Sequence, residues 1–320
     1  MKNLLVSSKM NARSLTLVIV IVAALTISIF VPLYSASFMK NPKSASSSMS
    51  LDSTAVSNVS SLDPPNYSTT KTTSPNGLKI AIPLYSESLN DWFQVLNSTP
   101  TTGIVVLNVN YGPGNAYNPT YAWIASLAQK SGTHILGYVY TNYADGSIPV
   151  SQVEQWINDW YNWYHVDGIF FDEVRSTCTN QSISYYSTLY NYTKSEPGSD
   201  VVVLNPGNTI GECYAPISDI LVTFEGNYAD YLTNYNNTTW MRNYPPSHFW
   251  NIVYNATTVI EMQTAVDLAT LRGTGWIYVS DGLALGVNSL GRLPIYFCRE
   301  IQFLGPVSGS CDVINNATSS

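Results

Sequence analysis

Four acidic residues close apolar runs in a chain that carries few charges. Asp172 and Glu173 end the run DGIFFDE, Glu225 ends LVTFEG and Asp281 ends WIYVSD. Only 11% of the 320 residues are charged, less than half of the ~25% usual in soluble proteins. A carboxyl set beside Phe or Val walls is costly unless it is hydrogen-bonded or paired. Desolvation raises the pKa of one such group and a neighbouring acid separates the two, which makes a proton donor and a nucleophile from the same functional group. Glycoside hydrolysis uses such a pair, about 5 to 5.5 Å apart when configuration is retained and about 6.5 to 9.5 Å apart when it is inverted. The competing reading places these acids in structural ion pairs with Arg175 or Arg242.

Other chemistries find less support. His134, His165 and His248 fall at or just before the start of apolar runs, away from the strand ends where the acids sit, so a histidine-dependent triad or multi-histidine metal site is not expected. The four cysteines are spaced 35, 85 and 13 residues apart and form no CxxC pair, which favours disulfides over zinc. GxSxG, Walker A and HExxH sequences are absent, and the GPG at 112–114 reads as a tight turn. No metal or organic cofactor is expected. The net charge of −7 argues against a nucleic-acid partner, which would call for a basic stripe.

The elements that must position the acids follow from periodicity. Eight short runs rich in β-branched and aromatic residues lie at 79–85, 102–109, 134–141, 166–173, 200–207, 219–226, 248–255 and 274–281. Most are apolar on both faces, as in buried parallel strands. Helical patterns lie between them at 119–131, 150–164, 182–196, 259–272 and 293–304, with weaker signals at 88–96 and 228–235. In VSQVEQWINDWYNWY, Val153, Trp156, Ile157, Trp160 and Trp163 recur at helical spacing and should pack on a sheet. Eight β/α units in this length predict a (β/α)8 TIM-type barrel, with an open doubly wound sheet as the alternative. In a barrel the chemistry belongs at the C-terminal strand ends, where the acids are. Side chains alternate along a strand, so Asp172 and Glu173 are not expected to enter the mouth in the same way.

The ordered series IPLY (82–85), NVNYGPG (108–114), GYVYTNY (137–143), VDGIFFDE (166–173), VVLNPG (202–207), VTFEGNY (222–228) and WIYVSD (276–281) resembles the spherulin 4 family of glycoside hydrolases across nearly the whole of residues 78–314. The resemblance implies a barrel acting on galactosaminogalactan-like polymers with α-1,4 linkages. It implies that Asp172 is the nucleophile, Glu225 the general acid/base and Glu173 a supporting acid. Val109 departs from the family pattern, standing where a proline is usual. Tyr85, Asn110, Tyr140, Asn205, Tyr278 and Asp281 lie near strand ends as candidate sugar contacts. In such a barrel Cys178 and Cys213 would occupy neighbouring loops and pair, while Cys298 and Cys311 would pin the C-terminus.

The N-terminal part differs in composition. Residues 1–14 are basic, 15–37 form an apolar signal anchor or signal peptide, and 38–77 a disordered Ser/Thr-rich stalk; residues 315–320 are a short tail. The uncharged stretch from Leu15 to Tyr34 has 20 residues, long enough to span a bilayer. The first 77 residues hold six bases and two acids, leaving −11 for the rest. Nine Asn-x-Ser/Thr sequons fit an exported glycoprotein. The expected function is therefore an extracellular, membrane-anchored or secreted glycoside hydrolase whose partner is a polysaccharide. The alternative is a non-catalytic glycan-binding or cell-envelope protein on the same barrel.

Overall fold

The structure, a computed structural model, describes residues 77–235, 238–283 and 290–305. Its eight strands are β1 (Lys79–Pro83), β2 (Thr102–Leu107), β3 (His134–Tyr140), β4 (Gly168–Asp172), β5 (Val201–Leu204), β6 (Ile220–Asn227), β7 (Phe249–Tyr254) and β8 (Trp276–Val279). Each pairs in parallel with the next, and β8 returns to β1 through Lys79↔Trp276 and Ile80↔Ile277. The sheet is thus a closed barrel, which removes both edges and excludes the open doubly wound alternative.

The helices are α1 (Leu89–Leu96), α2 (Pro119–Ser131), α3 (Val150–Tyr164), α4 (Asn180–Ser195), α5 (Tyr228–Thr233), α6 (Val259–Leu271) and α7 (Phe297–Leu304). Local chemistry sets their ends. Asn118 caps α2 with Pro119 following it, and Gly132 at φ 84° ends it. Capping boxes start α4 at Thr179/Ser182 and α6 at Thr258/Glu261. On α3, Val153, Ile157 and Trp160 are buried against the barrel, as the spacing predicts. Gly137 makes room for one of them: a Cβ there would lie 2.5 Å from the Trp160 indole. The indole N–H donates to the Tyr138 carbonyl at 2.9 Å.

Inside the barrel, Tyr138, Phe170 and Trp250 form an aromatic floor. Ring centroids lie 6.3 Å apart for Tyr138–Phe170 and 5.5 Å for Phe170–Trp250. Phe170 sits two residues before Asp172 on β4 and therefore on the same face, directly beneath it.

An irregularity in β6 decides where Glu225 goes. Val222 pairs with Trp250 and Phe224 with Asn251, leaving Thr223 as an extra residue. Thr223 Oγ1 accepts from Asn251 Nδ2 and lies 3.4 Å from the Tyr235 hydroxyl. Phe224 packs against Tyr231 of α5 with centroids 4.8 Å apart. Both side chains thus face the helix layer, and the bulge returns Glu225 to the barrel mouth.

Among the described residues, no helix is long and apolar enough to cross a membrane. The expected anchor at 15–37 and the stalk lie outside the described residues, as does Cys311 of the second expected disulfide. Cys178 and Cys213 are bonded. Gly211 lies against this bridge, with no room for a Cβ beside Cys178 Sγ.

Candidate active site

Asp172 is the last residue of β4 and Glu225 lies near the end of β6, with the end of β5 between them. Asn205 follows β5 and joins the two acids. Its backbone N–H continues the ladder to the Phe171 carbonyl at 2.8 Å, and its own carbonyl accepts from Val174 N–H at 2.9 Å. Its Oδ1 accepts from Gly207 N–H at 3.0 Å, which fixes the amide orientation and turns Nδ2 toward the acids. That one nitrogen donates to Asp172 Oδ1 at 2.8 Å and to Glu225 Oε2 at 2.6 Å. The two oxygens are therefore at most about 5.4 Å apart, short of the separation that an inverting pair needs for its water.

Each acid has a second donor. Tyr138, rising from the floor, donates its hydroxyl to Asp172 Oδ2 at 2.8 Å, and Tyr254, ending β7, donates to Glu225 Oε1 at 2.6 Å. Tyr85 packs edge-on against Tyr138 with centroids 5.6 Å apart. Burial and the nearby carboxylates push the phenols of Tyr85, Tyr138 and Tyr254 above their usual range, so all three stay protonated. Burial, followed by the charge of Glu225, raises Asp172 to about 7. Asp172 therefore keeps its proton until the pH approaches about 7.

Glu173 follows Asp172 with a left-handed φ of 53°, so strand alternation stops at Asp172. Its backbone carbonyl accepts from Tyr143 N–H at 2.6 Å, beside Asp172. Thr141 holds this turn: its Oγ1 lies 2.9 Å from the Asp172 carbonyl, 3.0 Å from the Glu173 carbonyl and 2.8 Å from the Tyr186 hydroxyl.

The family model for spherulation-specific family 4 matches residues 79–284, the span that carries every group just described. The chain belongs to spherulation-specific family 4. It is 28% identical over 240 residues to Spherulin-4 of Physarum polycephalum, covering 71% of this chain and 70% of that protein. In fold it is similar to Sph3 of Aspergillus clavatus, solved in complex with GalNAc, with a TM-score of 0.64 and 21% identity over 73% of this chain and 99% of that one. A chitinase of Rhizomucor miehei gives a TM-score of 0.44 at 10% identity, covering 71% and 99%.

Of the residues that the sequence offered, this spherulin 4 barrel gathers Asp172, Glu173, Glu225, Asn205 and Tyr85 at one mouth. It places the others elsewhere. The Tyr140 ring lies against Trp156 of α3 with centroids 5.3 Å apart. Tyr278 is fully buried on β8, paired in register with Ile252, so it packs in the core and is not open to a sugar. Asp281 is ion-paired with Arg292 at 2.9 Å, a different arginine from the two considered beforehand. Asn110 is exposed in the turn after β2, its N–H donating to the Gly112 carbonyl. Val109, at the family's proline position, folds over Gly114 in that turn.

The histidines lie at the opposite end. His134 opens β3, His165 ends α3 at φ 52°, and His248 precedes β7 and stacks on Tyr244. A hollow of about 310 Å³, lined by Lys79, Gly103, His134 and Trp276 among others, also belongs to that far end. Sequence reasoning missed Tyr138 and Tyr254. Their signal was positional: each is an aromatic at or two residues before a strand end, on the inward parity.

Proposed function

We propose that this chain is a glycoside hydrolase that cleaves an amino-sugar-containing polysaccharide, galactosaminogalactan-like with α-1,4 linkages, with retention of configuration. The carrying observation is the Asn205 amide that holds Asp172 and Glu225 within one nitrogen's reach. Asp172 attacks the anomeric carbon as a carboxylate while Glu225 gives its proton to the departing glycosidic oxygen. Water, deprotonated by Glu225, then cleaves the glycosyl ester and restores Asp172. Asn205 and Tyr138 hold Asp172 in place, Tyr254 steadies Glu225, and Glu173 supports the charge balance. Family membership and the fold shared with a GalNAc-bound barrel support the amino-sugar reading.

One observation favours an exchange of roles. Burial raises Asp172, which would suit it as the proton donor, with Glu225 as the nucleophile. The geometry serves either assignment, because the same single-proton pair is the competent state in both.

The test is reducing-end release from galactosaminogalactan by the full chain and its Asp172→Asn and Glu225→Gln variants. Losses on the order of 10²–10⁴ in each variant support hydrolysis. Unchanged release with glycan binding intact overturns it and leaves a binding protein. The location proposed is extracellular, on a membrane anchor or secreted. The apolar segment at 15–34, the Cys178–Cys213 bridge and the exposure of Asn97, Asn180, Asn191 and Asn255 at sequons support it.

A further inference from the structure

The connection from β3 to α3 contains three successive non-glycine residues in the left-handed region, Asn142 at φ 44°, Tyr143 at 55° and Ala144 at 50°. Such backbone costs about 1–2 kcal/mol per residue. The surroundings enforce it. Tyr143 N–H donates to the Glu173 carbonyl at 2.6 Å and Ala144 N–H to the Thr141 carbonyl at 3.1 Å. Arg175 Nε donates to the Tyr143 carbonyl at 2.8 Å, and Asn142 Nδ2 reaches Asp145 Oδ2 and Ser147 Oγ at 3.0 and 2.7 Å. The anchor of the turn, Glu173, is itself left-handed and directly follows Asp172. Two strained segments are therefore bonded to each other at the rim of the candidate active site.

This arrangement presents one large side chain. Tyr143 is 48% exposed, whereas Tyr138 is buried beneath the acids and Tyr254 is 2% exposed. Its backbone bond to the Glu173 carbonyl sets Tyr143 at the rim, one residue from Asp172, and after burial the first charge acting on its phenol is that of Glu173. Strain kept at a site calls for a functional reason. An exposed aromatic ring on the turn next to Asp172 offers one, because a galacto-configured sugar has an apolar face of C–H groups that packs on a ring.

We propose that Tyr143 is a substrate-binding residue, the aromatic platform for the amino-sugar unit at the Asp172/Glu225 pair, and that the left-handed turn exists to present it. The proposal rests on the glycosidase reading and adds to it a residue that determines sugar affinity. The ring supplies the contact and its hydroxyl contributes little.

The decisive substitution is Tyr143→Gly. Glycine adopts the left-handed region without strain, so this change should leave the thermal midpoint unchanged or raise it. It should also weaken binding of N-acetylgalactosamine oligosaccharides by about tenfold. Titration calorimetry on the full chain carrying Asp172→Asn, with and without the Tyr143 change, reads the affinity. Tyr143→Phe should stay within about twofold of its parent. Tyr143→Gly that binds as well as its parent overturns the proposal, and so does a Tyr143→Gly chain that unfolds earlier and loses affinity only in proportion to its unfolded fraction. A parent that binds no oligosaccharide overturns both the platform and the substrate reading.

Discussion

Tyr254 and Glu225 meet across the β6–β7 boundary, the phenol donating to Oε1 at 2.6 Å. The contact exists because the bulge at Thr223 returns Glu225 to the interior, where Tyr254 already points. Tyr254→Phe removes the donor and keeps the ring. A hydrogen bond to a charged group contributes about 1.5–3 kcal/mol, so kcat should fall roughly 10- to 100-fold. The thermal midpoint should move little, and kcat and melting curves measured together check both.

The barrel was legible because parallel strands covered on both faces leave continuous apolar runs, and all eight were evident. Asp172 was legible for the same reason, as an acid ending such a run. The inward aim of Glu225 was not legible: simple alternation puts it on the face of Thr223, and only the inserted residue reverses that. The left-handed backbone at Glu173 was not legible either, and it takes that residue out of the strand alternation. Tyr138 and Tyr254 were hidden among 23 tyrosines, because nearness to a strand end does not say where a ring comes to rest: Tyr140 lies against Trp156 and Tyr278 is fully buried.

The Asp172/Glu225 pair predicts a pH-dependent rate. Burial and the charge of Glu225 raise Asp172 from 3.8 to about 7, so the single-proton state is lost above that pH. Hydrolysis of an uncharged N-acetylated substrate should decline as pH rises through about 7, and Asn205→Ala should shift that limb. The same group affects stability. An acid whose folded pKa is raised stabilises most below its unfolded value, and that contribution is lost as pH climbs from 3.8 to about 7. Asp172→Asn should therefore melt close to the parent near pH 4 and above it at pH 8.

Glu300 gives a second alkaline limit, away from the site. It is fully buried on α7, and burial raises it from 4.5 to about 8, opposed by the Val279 backbone. Its contribution to stability should be lost as pH rises from 4.5 to about 8. Glu300→Gln keeps the shape without the charge, so its advantage in melting temperature over the parent should grow across that window. An advantage that is constant from pH 4 to 9 would count against a buried carboxylic acid.

The Cys178–Cys213 bridge joins the loops after β4 and β5, next to Asp172 and Asn205, across a sequence separation of 35. Closing a loop of that length contributes about 4 kcal/mol, roughly 8–16 °C in melting temperature for a domain of this size. Cys178→Ser with Cys213→Ser should show that loss. Because Gly211 N–H still donates to the Ser176 carbonyl at 3.2 Å, the two loops stay in contact. The fall in kcat should then be smaller than for Tyr254→Phe, measured at a temperature where both proteins are folded.

The stereochemistry of azide rescue assigns the two carboxyl roles. With an aryl glycoside of an N-acetylgalactosamine oligosaccharide, the leaving group needs little protonation, so each truncated variant can react. If Asp172 is the nucleophile, Asp172→Gly leaves a gap on the face opposite the departing oxygen. Azide attacks the anomeric carbon from there, and the glycosyl azide has inverted configuration. Glu225→Gly would still form the ester on Asp172, and azide replacing the base-activated water would give retained configuration. Proton NMR of the products distinguishes the anomers. The exchanged assignment predicts the opposite pairing of variant and anomer, with an inverted azide from Glu225→Gly and a retained one from Asp172→Gly. Because Asn205 ties both carboxyls to one nitrogen, either variant also loses a bonding partner of the other. The anomer formed, and not the residual rate, is therefore the quantity that separates the roles.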